Sequence, residues 1–390
     1  MRKIQVISLL VFAVLIPSIL LGQQNPENRP LSPTNWNNNQ IMHIENQNPF
    51  EQTQYKAHMG DAVAQYILAS NYFGERGGVP NYPKAFKWFE KSANQGYAEA
   101  QNRLAQCYEN GLGTVKNFKL AAKWYKEAAE QGNPDAEIAF GNCLFNGLGV
   151  SKNLNESFKW YLKSAQNGVS LGYYKVAICY TGGYGIVKNE VEAIKWYKKA
   201  ANASLPEAES DLGTCYYLGN GVPQNYSKAL SWFEKAASKD YSISEFNLGI
   251  CYLKGIGGLK NYNKAIEWLS KAAKHHYILA EATLGSCYFY GVGVEKNYSE
   301  AVKWRRLASI QGDTNSQMQL GSQYELGLGV KQDNVKAYFW FGVAAKSGNS
   351  LASNECDKFS SQMTGTALEE TQKRITKFLS TASGTPHDEK

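Results

Sequence analysis

The chain lacks the residue sets that most often announce chemistry. Ser-x2-Lys occurs nowhere in its 390 residues, so the serine–lysine pair of an acyl-enzyme, one helical turn apart, is missing. His-Glu-x2-His is absent too, since His43 is followed by Ile44-Glu45-Asn46-Gln47, and no Gly-x4-Gly-Lys-Ser/Thr is present to cradle a phosphate. Of five histidines only His275 and His276 stand together, and adjacent residues on a helix point about 100° apart, which rarely lets them share one metal. No Cys-x2-Cys pair offers a zinc site. The formal charge of +7 is built from 41 basic and 34 acidic residues spread along the chain, without the clustered basic stripe of a nucleic-acid binder. Beyond the first 22 residues no run approaches the roughly 18 apolar residues of a membrane span. The residues therefore predict no catalytic set, no metal, no cofactor and no nucleic acid.

What is present is a period. Eight of the nine tryptophans fall 36 residues apart: Trp88, Trp124, Trp160, Trp196, Trp232, Trp268, Trp304 and Trp340. A fixed period in this range means a solenoid of small units, none of which buries its apolar face alone. Residues 97–132 show the unit. Ala100, Leu104, Cys107 and Tyr108 have helical spacing, and Gly111-Leu112-Gly113 then ends this helix A. Asn117 recurs as Asn81, Asn153, Asn189, Asn225, Asn261, Asn297 and Asp333, which predicts the N-cap of a helix B. Glu156, Glu192 and Glu300 follow three residues later, as a capping box requires. Ala121, Trp124, Ala128 and Ala129 continue helix B, small beside large, as interlocking helices need. Each helix is expected to run about 12 to 15 residues. Six cysteines share the period (Cys107, Cys143, Cys179, Cys215, Cys251, Cys287); neighbouring helix pairs are about 8–10 Å apart, too far for a disulfide, so the reading is small apolar filler. Gly-x-Gly lies between helices with no strand before it, so it is a turn and no nucleotide fingerprint.

The pattern A-x3-L-G/A-x2-Y-x2-G-x-G-V-x2-N/D-x3-A-x2-W-Y/F-x2-A-A-x2-G is similar to the Sel1-like repeat, a relative of the tetratricopeptide repeat. The likeness covers about residues 61–348 and implies an all-α, right-handed superhelical solenoid of eight repeats with capping helices. Some units depart from it: Glu75 replaces a turn glycine, Leu144 replaces the helix A tyrosine, and Ser204, Asp240 and His276 replace the closing glycine. At those last three the connection between repeats is expected to be longer or differently angled. Some Sel1-like proteins are linked to penicillin binding or β-lactam hydrolysis, and the missing Ser-x2-Lys counts against that alternative. Eukaryotic members are ER-luminal quality-control adaptors, a reading that Asn-x-Ser sites at Asn155, Asn202, Asn225 and Asn297 would permit.

The ends read differently from the repeats. Arg2 and Lys3 precede an apolar run to Leu21, so residues 1–22 are expected to be a cleaved signal peptide, with periplasmic or secreted export and no membrane span once it is removed. Residues 23–47, rich in Asn, Gln and Pro, are expected to be a disordered polar arm. Residues 48–60 read as an N-terminal capping helix, 61–348 as the repeats, 349–380 as C-terminal capping helices and 381–390 as a polar tail.

Without an active site, function is expected to lie in contact: an exported, non-enzymatic scaffold for a peptide or protein partner. The family resemblance implies that helix A lines the concave groove. Two helix A rows vary between units while staying bulky, as recognition needs. One contains Phe73, Phe145, Tyr217 and Phe289, which are expected to line the groove. The other contains Tyr174 and Phe246; for both rows packing between repeats is the competing reading. Changing two of the first row to Ala or Ser is expected to weaken partner binding with thermal stability nearly unchanged.

Overall fold

Each period folds as two helices of about 13 residues joined by a short turn. In a computed structural model that describes residues 48–75, 79–258 and 260–381, helices A span Ala62–Phe73, Ala98–Asn110, Pro134–Asn146, Ser170–Gly182, Pro206–Leu218, Ser242–Lys254, Ile278–Tyr290 and Thr314–Leu326. Helices B span Tyr82–Asn94, Phe118–Glu130, Leu154–Gln166, Glu190–Asn202, Tyr226–Ala237, Tyr262–Lys274, Tyr298–Ile310 and Asn334–Lys346. These pairs are repeats 1 to 8. Each helix packs most extensively on its partner in the same repeat and then on the next repeat, so the architecture is an all-α solenoid. There is no strand among the described residues. The proposed signal peptide, the polar arm and the last nine residues of the tail lie outside the described residues.

The side chains at the eight N-cap positions, Asn81 through Asp333, each accept a bond from the backbone N–H three residues on. The capping box does not form. The N-cap's own N–H is already taken by a helix A carbonyl, as in Asn153 N–H to Leu144 O (2.8 Å) and Asn297 N–H to Tyr288 O (2.8 Å). Glu192 and Glu300 turn instead to Lys195 and Lys303.

The second turn glycine is fixed by sterics. A Cβ on Gly113 would overlap the backbone of Tyr82 and Pro83 in the preceding repeat, and Gly149 would meet Phe118 in the same way. In repeat 1, where Glu75 stands at the first turn position, the helix ends one residue early on Gly74 at φ 95°. Repeat 6 departs more: its turn is a short 3-10 segment, Ile256–Gly258, and Gly257 no longer presses on the preceding backbone. The closing position overturns the expectation for repeats 4 to 6. Ser204, Asp240 and His276 take φ of 64°, 57° and 56°, the left-handed conformation that Gly132 and Gly168 take elsewhere, and the connection keeps its length.

The most buried large side chain of helix B is not the tryptophan but the residue after it. Phe89, Tyr125, Tyr161, Tyr197, Phe233, Leu269, Arg305 and Phe341 are all buried, whereas the tryptophans from Trp88 to Trp304 are half-buried. Six of them carry a lysine ammonium over the ring, at 3.9 to 5.1 Å from its centroid. The ends are covered by extra helices. Pro49–His58 packs Ala57 on Ala64 and Leu68, and Ser350–Ser360 and Gly365–Ser380 pack Phe359, Ile375 and Phe378 around Trp340.

Candidate functional site

The two helix A rows have different surroundings. Phe73, Phe145, Tyr217 and Phe289 are half-buried beside helix B or the turn of their own unit or its neighbour. Phe73 meets Tyr82 (5.2 Å) and Phe89 (6.0 Å), Tyr217 meets Tyr226 (5.5 Å), Phe289 meets Tyr298 (5.0 Å), and Phe145 meets Tyr184 of repeat 4 (5.2 Å), all near edge-to-face. In repeats 2 and 4 the row is polar but holds the same contact: the Tyr125 hydroxyl donates to Glu109 (2.6 Å), and Thr181 Oγ1 lies 3.4 Å from the Tyr197 hydroxyl. The row thus braces helix A on helix B while showing one edge to solvent. Truncation to Ala or Ser would remove this packing, so a loss of stability is the outcome these contacts predict.

The other row runs between neighbouring repeats. Tyr174 is buried at 8 % exposure among Ala177, Tyr197 and Leu212, and its hydroxyl donates to Asp211 of the next repeat at 3.0 Å. It therefore offers no open surface to a partner. Burial raises its hydroxyl pKa well above the usual tyrosine value and pushes the Asp211 carboxyl up to about 6. Phe246 is half-buried and stacks obliquely on Tyr277 at 5.2 Å.

A third feature has no counterpart in the expectations: a polar ladder inside the solenoid. At the fourth residue of each repeat stand Gln65, Gln101, Glu137, Tyr173, Glu209, Glu245, Glu281 and Gln317. Thirty residues on stand Gln95, Gln131, Asn167, Ala203, Lys239, His275, Gln311 and Ser347. Six pairs bond directly within the same repeat: Gln65–Gln95, Gln101–Gln131, Glu137–Asn167, Glu209–Lys239, Glu245–His275 and Glu281–Gln311. Where glutamine stands first, its amide also donates to the end of the preceding helix B, as Gln101 does to Ala93 O and Gln317 to Ser309 O. A carboxylate cannot donate. In repeats 3 and 5 a lysine supplies the missing proton: Lys163 Nζ reaches Ala129 O (2.9 Å) and Glu137 (3.0 Å), and Lys239 Nζ reaches Ser204 O (2.9 Å) and Glu209 (2.7 Å). In repeat 4 both members are lost together, to Tyr173 and Ala203. The signal was legible as a polar residue recurring on an apolar helix face.

The ladder also explains the histidine pair. His275 Nδ1 lies 2.9 Å from Glu245 Oε2, and His276 Nδ1 lies 3.7 Å from Glu281 Oε1, so the two imidazoles serve different carboxylates. Asp240, Glu245 and His275 bring one ligand atom each within 4.8 Å of one another, a donor set that could hold a divalent ion. The thiols are apolar filler in character. All seven cysteines are free, five of the six periodic ones are buried, and burial pushes their thiols up to about 11 or 12, far from the thiolate form. Arg305 breaks the row of buried helix B residues. Its guanidinium donates to Gln323 Oε1 (2.9 Å) and lies 4.3 Å from the Phe289 ring, and burial lowers its pKa to about 10.

With this geometry in view, comparison with known proteins is direct. The model of the Sel1 repeat matches eight times end to end, at residues 62–97, 98–133, 134–169, 170–205, 206–241, 242–277, 278–313 and 314–349. The chain belongs to the Sel1-repeat family. Among solved structures it is similar to the Sel1 repeat protein of Oxalobacter formigenes, with 26% identity and a TM-score of 0.65 over 85% of this chain and 97% of that one. It also matches c5321, a protective antigen present in uropathogenic Escherichia coli strains that displays an SLR fold, at 26% identity over 85% of this chain and 87% of that one, with a TM-score of 0.45. Among curated proteins nothing matches. A Sel1-repeat solenoid is a scaffold of the protein–protein interaction kind, and among the described residues no helix is long and apolar enough to cross a membrane.

Proposed function

We propose that this Sel1-repeat protein is an exported, non-enzymatic scaffold that holds a peptide or protein partner against the ends of helices A and the turns that follow. The observation that carries this reading is a recurrent exposed apolar position beside the half-buried aromatic row. Leu218, Tyr290 and Leu326 are the last residues of helices A in repeats 5, 7 and 8, and they expose 54%, 67% and 62% of their surface. Tyr290 stands edge-on to Phe289 at 4.9 Å, and Tyr184 in the repeat 4 turn stands edge-on to Phe145 at 5.2 Å. Aromatic side chains braced by a neighbouring ring, as Tyr290 and Tyr184 are, suit a contact surface, because little side-chain freedom is lost on binding. Export is supported by the charged start and apolar run of residues 1–22, with the periplasm or the cell exterior as destination.

The test is capture of partners by the chain without residues 1–22, compared with the triple variant Leu218→Ser, Tyr290→Ser, Leu326→Ser. Exposed substitutions of this kind each change stability by no more than about 0.5 kcal/mol. The expected outcome is a partner held by the wild type and lost by a variant that melts at nearly the same temperature. Equal capture by both would remove this surface from the function.

A further inference from the structure

At the boundary between repeats 5 and 6, two departures from the repeat meet at one buried carboxylate. Glu245 is 1 % exposed. Asp240 stands where other repeats carry Gly132 and Gly168, and His275 stands where repeats 2 and 7 carry Gln131 and Gln311. His275 Nδ1 lies 2.9 Å from Glu245 Oε2, and one donor atom from each of the three residues lies within 4.8 Å of the other two. Asp240 closes repeat 5, while Glu245 and His275 begin and end repeat 6. No short motif announces such a set, which is why the sequence predicted no metal.

Two other repeats hold a cation at this place. In repeat 5, Lys239 Nζ stands between Glu209, at 2.7 Å, and the backbone oxygen of Ser204, at 2.9 Å. Glu209, Ser204 and Lys239 are the counterparts of Glu245, Asp240 and His275. In repeat 3, Lys163 Nζ stands between Glu137 (3.0 Å) and Ala129 O (2.9 Å). Repeat 6 brings no ammonium to Glu245 among the described residues. Lys271, the counterpart of Lys163, pairs with Glu267 at 3.3 Å and lies over the Trp268 ring at 4.1 Å. One carboxylate and one ammonium are thus replaced by two carboxylates and an imidazole. Asp240 and His275 also follow the C-terminal ends of Tyr226–Ala237 and Tyr262–Lys274, where the helix dipole favours a cation. The imidazole adds a nitrogen donor of the kind that transition ions prefer to lysine's.

We propose that Asp240, Glu245 and His275 bind one Zn²⁺ ion, which staples the end of repeat 5 to both helices of repeat 6. His275 Nδ1 and one oxygen each from Glu245 and Asp240 are the protein ligands, and water completes the shell. On binding, the imidazole proton rests on Nε2, and the Nδ1 lone pair faces the ion in place of the bond to Glu245. Donors about 2.1 Å from one zinc stand about 3.4 Å apart in a tetrahedron. Asp240 and His275 are exposed, so their side chains have room to close to that spacing around Glu245. Each repeat is stabilised mainly by its neighbours, so an ion held across this boundary stabilises the solenoid.

The test is calorimetric titration of zinc into the untagged, metal-stripped full chain, with thermal unfolding recorded with and without zinc. His275→Gln and Asp240→Gly each install a residue that other repeats carry there, so both variants should fold and, without metal, melt close to the wild type. His276→Gly is the control, because that imidazole leans on Glu281 instead. The expected result is one zinc per chain and a melting temperature raised by about 5 °C at saturating zinc. Affinity should fall about tenfold or more on His275→Gln and on Asp240→Gly and stay unchanged on His276→Gly. Equal affinity on His275→Gln and the wild type would overturn the site, and loss on His276→Gly alone would move the ion to Glu281. An intense thiolate band on loading with cobalt would place the ion on cysteine and overturn it too. A wild type that binds no zinc would reduce the cluster to the His275–Glu245 pair.

Discussion

At the closing position of each repeat a Cβ has room but the backbone does not suit it. A side chain added at Gly96, Gly132 or Gly312 would meet nothing within 4 Å, so the only cost is the left-handed backbone. This is why Ser204, Asp240 and His276 are tolerated there, whereas glycine is kept at the Gly113 position, where a Cβ on Gly113, Gly149, Gly185, Gly221 or Gly329 would strike the backbone of the preceding repeat. For an L-residue the left-handed conformation costs about 1–2 kcal/mol, partly offset by the extra freedom glycine has when unfolded. Ser204→Gly is therefore expected to stabilise the chain by about 0.5–1 kcal/mol in urea titration, and Gly168→Ser to destabilise it by a similar amount. Glu281 makes a second residue-scale prediction. Burial lifts its carboxyl from 4.5 to about 7, and of its two oxygens one accepts from Gln311 while the other has only His276 at 3.7 Å. A folded pKa above the unfolded one means that its contribution is complete below about pH 4.5 and is lost as the pH rises through 7. Glutamine is the native choice at Gln65, Gln101 and Gln317, where it both accepts and donates. Glu281→Gln should then raise stability by about 1–3 kcal/mol at pH 8 and by little at pH 4.5; an equal gain at both would show that the carboxyl does not titrate as described.

At the scale of the helix, the sequence announced most of what forms. The N-cap residues and the turn glycines marked both ends of each helix, because these positions are dictated by orphan backbone groups and by sterics that nothing else in the unit can relieve. The inward face was harder to read. Tryptophan drew attention by its spacing, yet the residue after it is the one fully enclosed, because the broad indole lies across the surface with a lysine over it, while Phe89 or Tyr125 points between the helices. The ladder was missed for a related reason: Gln and Glu on an apolar face read as solvent-exposed unless their partners thirty residues away are considered with them. The last helix was legible as amphipathic but its seat was not. Phe339 holds a position that is lysine in five repeats, and it meets Phe378 at 5.7 Å, which closes Trp340 to 2 % exposure. Phe339→Lys should undock Gly365–Ser380, at a cost of about 3 kcal/mol, and limited proteolysis should then trim the chain to the region of Ser360 while the repeats persist. Continued protection of the last helix would place its anchor elsewhere.

Across the whole molecule, regularity and irregularity carry different information. Each repeat is stabilised mainly by its neighbours, so a sequence that repeats eight times specifies the solenoid many times over. The contact surface has no such redundancy. Phe73, Phe145, Tyr217 and Phe289 were legible as a row, but one pattern serves both bracing and recognition, and only the geometry separates the buried edge from the exposed one. Tyr174 shows the limit: variable and aromatic in sequence, it is tied inward by Asp211. What distinguishes this chain from a uniform array lies where the period fails, in Asp240 with His275, in Arg305 with Gln323, and in the exposed ends of helices A. The decisive measurement is hydrogen exchange of the chain alone and with its captured partner bound. Protection should concentrate at the ends of helices A and the following turns, around Tyr184, Leu218, Tyr290 and Leu326, and should vanish when the last three are serine. Protection confined instead to the outer tryptophan and lysine face of helices B would contradict a scaffold that binds through helix A.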